Sequence, residues 1–262
     1  MYSFNYHSPK TIIEASDIFT SSEDPKYLAG GMTLIASMKQ RLVAPSDIID
    51  IKKIPELNSI NVKENKIKIG ALCTHDQIAK DKEIIKNISG FSSLASGIGD
   101  PAIRKMGTIG GSIVNSDPAA DWPSAILCLK ADLETNKRKI NNEEFFTGMF
   151  ETCLEENEIL KSINYEIPEY FKYVKFPNPA SRYAIVGVSV AKYNNEVRVA
   201  VTGASHTPFL AKEISEALTT KFTTEIPLKT IPISELNDDI HASSVYRQNL
   251  VDVCTKLALM PN

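Results

Sequence analysis

The chain has 262 residues, of which 43% are hydrophobic and 23% are charged, and its formal net charge at pH 7 is −3. This charge creates no broad basic surface of the kind that binds nucleic acid or an anionic membrane. The amino-terminal sequence lacks the basic and apolar regions of a secretory signal, and no apolar run approaches the roughly 18–20 residues that span a bilayer. We therefore expect a soluble, cytoplasmic protein that is long enough for two or three packed units.

The first sixty residues predict two helices and two strands. Apolar residues at helical spacing favour a helix in SPKTIIEASDIFTSS, with Ser8 or Thr11 as its cap, and a second helix in MTLIASMKQRL. KYLAGG predicts a strand that runs into a glycine turn between these helices, and SDIIDIKKI predicts a strand after them.

The sequence pattern changes near residue 165. Before it, KIKIGALCTH predicts a strand, and DQIAKDKEIIKNISGFSSLASGI has helical spacing interrupted at glycines. After it, two β-branched runs joined by Asn194-Asn195 predict a hairpin with a turn of the primed type, and PFLAKEISEALTT and SVYRQNLVDVCTKLALM predict amphipathic helices. We therefore predict a domain of residues 1–164 and a second domain of residues 165–262.

The four cysteines do not predict a metal centre. Cys73, Cys128, Cys153 and Cys254 lie far apart, without the C-x-x-C spacing of zinc or iron–sulfur ligands. The four histidines are equally scattered. We interpret the cysteines as small, buried hydrophobic residues, and we predict no metal ligands in this chain.

Residues 97–102, GIGDPA, match a relaxed form of the dinucleotide-binding pattern G-x-G-x-x-G/A. The true fingerprint follows a strand and opens a helix at its second glycine. Here SSLASGIG comes first, and Pro101 lies within the turn, so we do not predict a Rossmann site. We interpret Arg104, which follows, as a structural ion-pair partner.

Two glycine pairs are better candidates for a binding site. LAGGMTLIASM and MGTIGGSIV each place Gly-Gly after an apolar run and before a small or polar residue. Glycine lets a ligand approach the backbone closely, and successive N–H groups in such a turn form a concavity for an anion. Residues 107–129 contain no Lys or Arg, so an anionic ligand here would be held by the backbone. Either pair alone also fits an ordinary tight turn.

Two aspartates follow the second glycine pair. Asp121 can accept hydrogen bonds from a ribose or an adenine, or it can cap the helix predicted in DWPSAIL. Asp117 is open to the same two interpretations.

Motifs along nearly the whole chain occur in an order that is typical of one known family. AGGMTLIASMKQRLVAPSDIIDIKKIPEL contains an AGG-x-[ST]-L motif, and IGALCTHDQIA, IRKMGTIGGSIVNSDPAAD, HTPFLAKEISEAL and VYRQNL follow. Together they resemble the flavin-binding medium subunit of the molybdenum hydroxylases, which include carbon monoxide dehydrogenase, xanthine dehydrogenase and aldehyde oxidoreductases. Lys105 and Ser112 stand where the family usually has asparagine. Because serine keeps a donor and an acceptor, we expect adjusted contacts and not lost binding.

The resemblance implies an α+β fold and an FAD site. The fold would be a PCMH-type FAD-binding domain of two α/β subdomains, divided near 55–60, followed by an α+β domain with an antiparallel sheet. The two glycine motifs would hold the diphosphate through N–H groups and the hydroxyls of Thr33, Thr108 and Ser112, while Asp121 would contact the ribose or adenine. The residues implied at the FAD are Ala29, Gly30, Gly31, Met32, Thr33, Leu34, Thr108, Ile109, Gly110, Gly111, Ser112, Asp121, Leu160, Lys175 and Tyr183.

Three of these residues are implied at the flavin end. Leu160 would pack on the flavin side of the pocket, and Lys175 and Tyr183 would lie near the isoalloxazine. A cation there favours reduced flavin, which is negatively charged near N1. From the residues alone, Lys175 also fits a strand-surface lysine and Tyr183 a strand core residue.

The resemblance also implies one relay within a larger oxidoreductase. FAD would be the cofactor of this chain, an iron–sulfur small subunit would hold [2Fe–2S] clusters, and a large subunit would hold the molybdenum cofactor. Electrons would pass from the clusters through this chain to an external acceptor, and no residue of the chain stands out as a catalytic acid or base. The alternatives are a self-sufficient FAD-dependent oxidoreductase and a nucleotide-binding regulatory protein.

Overall fold

A computed structural model describes residues 1–225 and 231–260 of the chain. Its first layer comprises β1 (Asn5–His7), α1 (Ile12–Ser21), β2 (Pro25–Leu28), α2 (Leu34–Lys39) and β3 (Asp47–Asp50). The strands form a parallel sheet in the order β1-β3-β2. The Thr11 hydroxyl accepts a hydrogen bond from the Glu14 N–H and caps α1, which confirms one of the two predicted caps.

The second layer is a five-stranded antiparallel sheet with helices packed on it. Its elements are β4 (Ile60–Lys63), β5 (Lys66–Gly70), α3 (His75–Lys80), α4 (Lys82–Asn87), α5 (Ser89–Ser96), α6 (Pro101–Met106), α7 (Ile109–Asn115), α8 (Asp121–Cys128), β6 (Ala131–Thr135), β7 (Lys139–Asn141), α9 (Asn142–Phe145), β8 (Phe146–Gly148), β9 (Glu151–Thr152) and β10 (Leu160–Glu166). The strand order is β4-β5-β10-β6-β7, and β8 pairs with β9 in a separate ribbon. Phe91, Ile109 and Trp122 from the helices are fully buried in one core with Ile163 of β10.

The third layer is an antiparallel sheet covered by helices on both faces. It comprises β11 (Tyr170–Pro177), β12 (Ala184–Tyr193), β13 (Glu196–Thr202), β14 (Phe209–Leu210), α10 (Lys212–Thr220) and α11 (Ser244–Leu259), and its strand order follows the chain. Val188 and Val190 pack in one core with α10 and α11, whereas Ser189 contacts Ser124 of α8 on the other face. Because helices cover both faces of β12, its segment AIVGVSVA is made of small and mostly apolar residues and does not alternate between apolar and polar side chains.

The hairpin of β12 and β13 is confirmed, but its turn is not of the predicted type. Tyr193 pairs with Glu196 across the two asparagines, and neither asparagine has a positive φ. A type I′ turn requires positive φ at both central residues, and a type II′ turn at the first. The pairing register is held instead by the seven residue pairs of the two buried strands.

The sheets change close to the predicted domain boundaries. The first sheet ends at Asp50, the second begins at Ile60, and β10 ends at Glu166 before β11 begins at Tyr170. The division into residues 1–164 and 165–262 stays an interpretation, and residues 226–230 and 261–262 of the second domain lie outside the described residues.

The cysteines follow the prediction with one exception. Cys73, Cys128 and Cys254 are buried, but Cys153 is partly exposed, so its interpretation as a core residue is wrong. Cys153 directly follows β9 and packs against the edge of the main core, which covers it only in part. Within residues 1–225 and 231–260, no helix combines the length and apolarity needed to cross a bilayer.

Candidate functional site

A cavity of about 610 Å³ collects most of the predicted site residues. Its wall includes the end of β2 and the loop to α2, the first turn of α7, β10, and the loop between β11 and β12. Of the residues implied at an FAD, Ile109 and Lys175 do not line it. The fold thus brings four distant segments of the chain to one cavity.

The loop of residues 29–34 offers unpaired backbone donors to this cavity. Gly31 has φ +74°, and a Cβ there would clash with Ile35, so glycine is required for this turn. The N–H groups of residues 30–34 make no hydrogen bond to an acceptor in the described part of the chain. Successive backbone N–H groups without an internal acceptor are the donors that anion-binding loops use.

The second glycine pair is not a glycine turn. Gly110 and Gly111 lie in the first turn of α7 with helical backbone, and Thr108 is the cap: its hydroxyl accepts from the Gly111 N–H at 3.0 Å. The Ile109 N–H donates to the Cys73 carbonyl and the Gly110 N–H to the Ala71 carbonyl. These donors are therefore already occupied within the protein.

Gly110 packs directly against Ala71, which leaves no room for a side chain at this position. A Cβ on Gly110 would lie 2.5 Å from the Ala71 Cβ and 2.6 Å from its carbonyl oxygen. Likewise, a Cβ on Gly30 would meet the Met106 carbonyl, so the two motifs touch each other directly. Gly111 differs because it is exposed. Both glycines line the cavity, and Gly110 has a packing reason to lack a side chain besides its place on the cavity wall.

Asp121 is buried in an ion pair and does not cap α8. Ala120 is the cap residue, and Asp121 is the first residue of the helix. Lys175 Nζ lies 2.9 Å from Asp121 Oδ1, and the Tyr173 hydroxyl donates to the same carboxylate. Burial raises the pKa of Asp121, while Lys175 and Tyr173 act in the opposite direction.

Lys175 also connects its ion pair with Asp121 to two loops through hydrogen bonds. Its ammonium also donates to the carbonyls of Gly97, at 3.2 Å, and Arg182, at 3.0 Å. Arg182 precedes Tyr183, which is 45% exposed and lines the cavity. Lys175 is therefore neither a strand-surface lysine nor a free cation, and Tyr183 is not a core residue.

Asp117 folds back on its own backbone at the cavity wall. Its carboxylate accepts a hydrogen bond from the Ala119 N–H at 2.9 Å. Burial raises the pKa of Asp117. The carboxylate stabilises the turn before α8 and does not cap the helix.

The segment GIGDPA is not a Rossmann motif. It follows helix α5 and not a strand, and Asp100 caps α6 by accepting from the Ile103 N–H. Arg104 donates to the carbonyls of Ile98, at 2.9 Å, and Gly99, at 3.2 Å. Within the described ranges it has no carboxylate partner, so its predicted role in an ion pair is wrong, because these carbonyls take its donors.

The hydrogen-bonded pair that His75 and Trp122 form at the cavity wall was not predicted from the sequence. His75 is 4% exposed and lines the cavity, and the Trp122 indole N–H donates to His75 Nδ1 at 3.0 Å. Burial lowers the pKa of His75 to about 4, and the positive charge of Arg104 acts in the same direction. The one local signal was the capping box of Thr74 and Gln77, which starts α3 and fixes where His75 lies.

The described residues contain no group of three or more His, Cys, Asp or Glu side chains that could hold a metal ion.

Comparison with known proteins assigns the chain to a family. Residues 2–170 match the model of the FAD binding domain in molybdopterin dehydrogenase. The glyceraldehyde dehydrogenase medium chain of Sulfolobus acidocaldarius is 30% identical, over 97% of this chain and 96% of that protein. The carbon monoxide dehydrogenase medium chain of Hydrogenophaga pseudoflava is 28% identical, over 98% and 96%.

A solved structure agrees with these matches. Carbon monoxide dehydrogenase from Hydrogenophaga pseudoflava, in a form lacking the Mo-pyranopterin moiety of its molybdenum cofactor, superposes with a TM-score of 0.90 at 28% identity. The match covers 98% of this chain and 96% of that chain, which confirms the α+β fold class. This chain belongs to the family of FAD-binding subunits of molybdopterin-dependent dehydrogenases, and it is an oxidoreductase subunit.

Proposed function

We propose that this chain binds FAD in the 610 Å³ cavity and relays electrons from the iron–sulfur clusters of a partner subunit to an external acceptor. The observation that carries the proposal is the row of unpaired N–H groups at residues 30–34. Bound FAD supplies the redox chemistry, since a flavin exchanges electrons singly or in pairs. The protein supplies binding, orientation and the electrostatic surroundings.

The cavity fits the size and polarity of such a cofactor. Its volume lies within the roughly 300–1,000 Å³ of typical ligand sites. The N–H groups of residues 30–34 would hold the diphosphate, together with the hydroxyls of Thr33 and Ser112, which make no hydrogen bond within the described chain. The N–H groups of Ile109, Gly110 and Gly111 would contribute less, because they already donate to protein acceptors.

Lys175 would position the residues around the flavin and would not add a net positive charge beside it. Its ammonium is paired with Asp121, so the two side chains together carry no net charge beside the flavin. By holding the carbonyls of Gly97 and Arg182, it fixes the loop that presents Tyr183 to the cavity. Leu160, which is 4% exposed on β10, would add an apolar contact.

The partners we propose are an iron–sulfur small subunit and a large subunit that holds the molybdenum cofactor. Both relatives named above are called medium chains, a term that belongs to multi-subunit enzymes. Met32, Val114 and Tyr183 line the cavity and are each about two-fifths exposed. An apolar rim of this kind is suited to cover by a partner, over roughly 800 Å² on each side.

The test is reconstitution with the separate subunits. The isolated chain loaded with FAD should show flavin absorbance but should oxidise no aldehyde, purine or carbon monoxide. Mixing it with the reduced iron–sulfur subunit should bleach the flavin band, and an external acceptor should restore it. Turnover by the isolated chain at the rate of the assembled enzyme would instead support a self-sufficient oxidoreductase, and a chain without FAD would support a regulatory protein.

A further inference from the structure

The imidazole of His75 presents a single defined donor to the cavity. The indole N–H of Trp122 is only a donor, so His75 Nδ1 must be the acceptor in their 3.0 Å hydrogen bond. Burial lowers the pKa of His75 to about 4, so the ring is neutral near pH 7. A neutral ring whose Nδ1 accepts carries its proton on Nε2.

This Nε2–H has no partner within the described chain. His75 Nε2 makes no side-chain hydrogen bond there, and it is not among the polar atoms that are fully enclosed without a partner. Since the residue is only 4% exposed and lines the cavity, its small accessible area opens onto that cavity. The ring is held in one tautomer, and its nearly buried N–H donor has no partner in the described chain. Such a donor is positioned to bind a ligand in the cavity.

The residues next to His75 Nε2 show which part of the cavity it faces. A Cβ on Gly107 would lie 2.8 Å from His75 Nε2, so the ring edge lies against Gly107. A Cβ on Gly30 would in turn lie 2.9 Å from the Gly107 Cα. His75 therefore lies beside the loop that carries the unpaired N–H groups of residues 30–34.

We infer that His75 is a diphosphate ligand: its Nε2–H donates a hydrogen bond to a phosphate oxygen of the bound FAD. The inference rests on the proposed function. His75 would add a neutral side-chain donor to the backbone N–H donors of residues 30–34. Trp122 is the positioning residue, because its N–H fixes the tautomer that leaves the proton on Nε2.

Two substitutions at the same position separate the two ring nitrogens. His75→Asn places an amide near the Nδ1 position, so it can still accept from Trp122 but cannot reach the ligand. His75→Gln places an amide donor near the Nε2 position. FAD titration should show a dissociation constant raised about tenfold or more for His75→Asn, but within about threefold of wild type for His75→Gln.

The same titrations with ADP identify the part of the cofactor involved. ADP carries the diphosphate without the flavin, so His75→Asn should weaken ADP binding by a similar factor. Equal FAD affinities for wild type and a folded His75→Asn variant would overturn the inference, as would equal losses in both variants. Near-ultraviolet circular dichroism establishes that each variant is folded.

A spectroscopic test on the wild-type chain does not depend on any variant. With histidine labelled with ¹⁵N, adding FAD or ADP should slow the exchange of the His75 Nε2 proton and shift its signal, whereas riboflavin should not. An unmoved signal in a chain that binds FAD overturns this inference alone. A wild-type chain that binds no FAD overturns the proposed function and this inference with it.

Discussion

Asp121 and Lys175 form a charged pair whose side chains are 7% and 12% exposed, at the junction of α8, β11 and two loops. Removing one partner of a buried pair leaves the other charge without compensation, which costs far more than breaking an exposed pair. At the residue scale this pair links the stability of the fold to the shape of the cavity.

The Lys175→Met substitution should therefore destabilise the fold by roughly 3 kcal/mol. The matched control is Lys192→Met, which removes a lysine paired with Glu169 at 3.7 Å on the surface and should cost less than about 1 kcal/mol. Urea unfolding of both variants measures the difference. Similar losses in the two variants would mean that Lys175 is not held as described.

His75 should make the fold less stable in acid. Its pKa is about 4 in the folded chain and about 6.5 in the unfolded chain, so between these values the unfolded chain binds more protons. The free energy of unfolding therefore falls as pH drops from about 6.5 to about 4, by roughly 3 kcal/mol.

Urea unfolding across this pH range measures the effect against a variant. The His75→Asn substitution keeps an acceptor for Trp122 but removes the titrating group, so the wild type should lose roughly 3 kcal/mol more than the variant on acidification. A difference between the two proteins that does not change with pH would show that His75 titrates normally.

At the scale of elements, the first turn of helix α7 packs against the residue that follows β5 and forms part of the cavity wall. A Cβ on Gly110 would meet Ala71, whereas Gly111 is exposed, although the two glycines are adjacent in the sequence. The neighbours thus have different reasons to lack a side chain, and single substitutions distinguish these reasons.

Gly110→Ala should destabilise the fold by about 1–3 kcal/mol, because the new methyl group would overlap the Ala71 backbone. Gly111→Ala should change stability by less than about 1 kcal/mol. A Cβ there would lie 2.9 Å from the Thr108 hydroxyl and 3.8 Å from the Ala29 Cβ, and the helix gains from alanine. Its effect should be on FAD affinity. Thermal unfolding and FAD titration of both variants measure these effects, and a reversed order of stabilities would contradict the packing described.

The elements that the sequence predicts well are those with local signals. Helix α1 has its Thr11 cap, and the β12–β13 hairpin has its two-residue link. The conformation of Gly110 and Gly111 depends on Ala71, which lies 39 residues earlier, so no local pattern distinguishes a glycine turn from a capped helix. His75 was missed for a similar reason, because its partner Trp122 is 47 residues away.

At the scale of the whole molecule, the cavity proposed to bind FAD lacks a positive surface. Among the described residues, its wall carries the cations Lys26 and Arg182. The acids on the same wall are Asp117, Asp121, Glu155, Glu156 and Glu158. In the proposed site, local N–H donors and not long-range attraction would hold the diphosphate. The assembly of this site from distant segments followed from the family resemblance and not from periodicity or composition.

Salt should consequently have little effect on FAD affinity. Raising sodium chloride from about 50 mM to about 500 mM shortens the screening length from roughly 14 Å to roughly 4 Å, which weakens attraction between separated charges. Because the proposed contacts are short hydrogen bonds, the dissociation constant should rise less than about threefold. A rise of about tenfold or more, measured by fluorescence titration, would indicate binding by cations.

The measurement that tests the central claim most directly is a calorimetric titration of the flavin-free chain with FAD and, separately, with FMN. The account predicts one FAD per chain and much weaker binding of FMN, because FMN lacks the diphosphate that the N–H groups of residues 30–34 are placed to hold. A folded chain that binds no FAD, or that binds FMN as tightly as FAD, would contradict it.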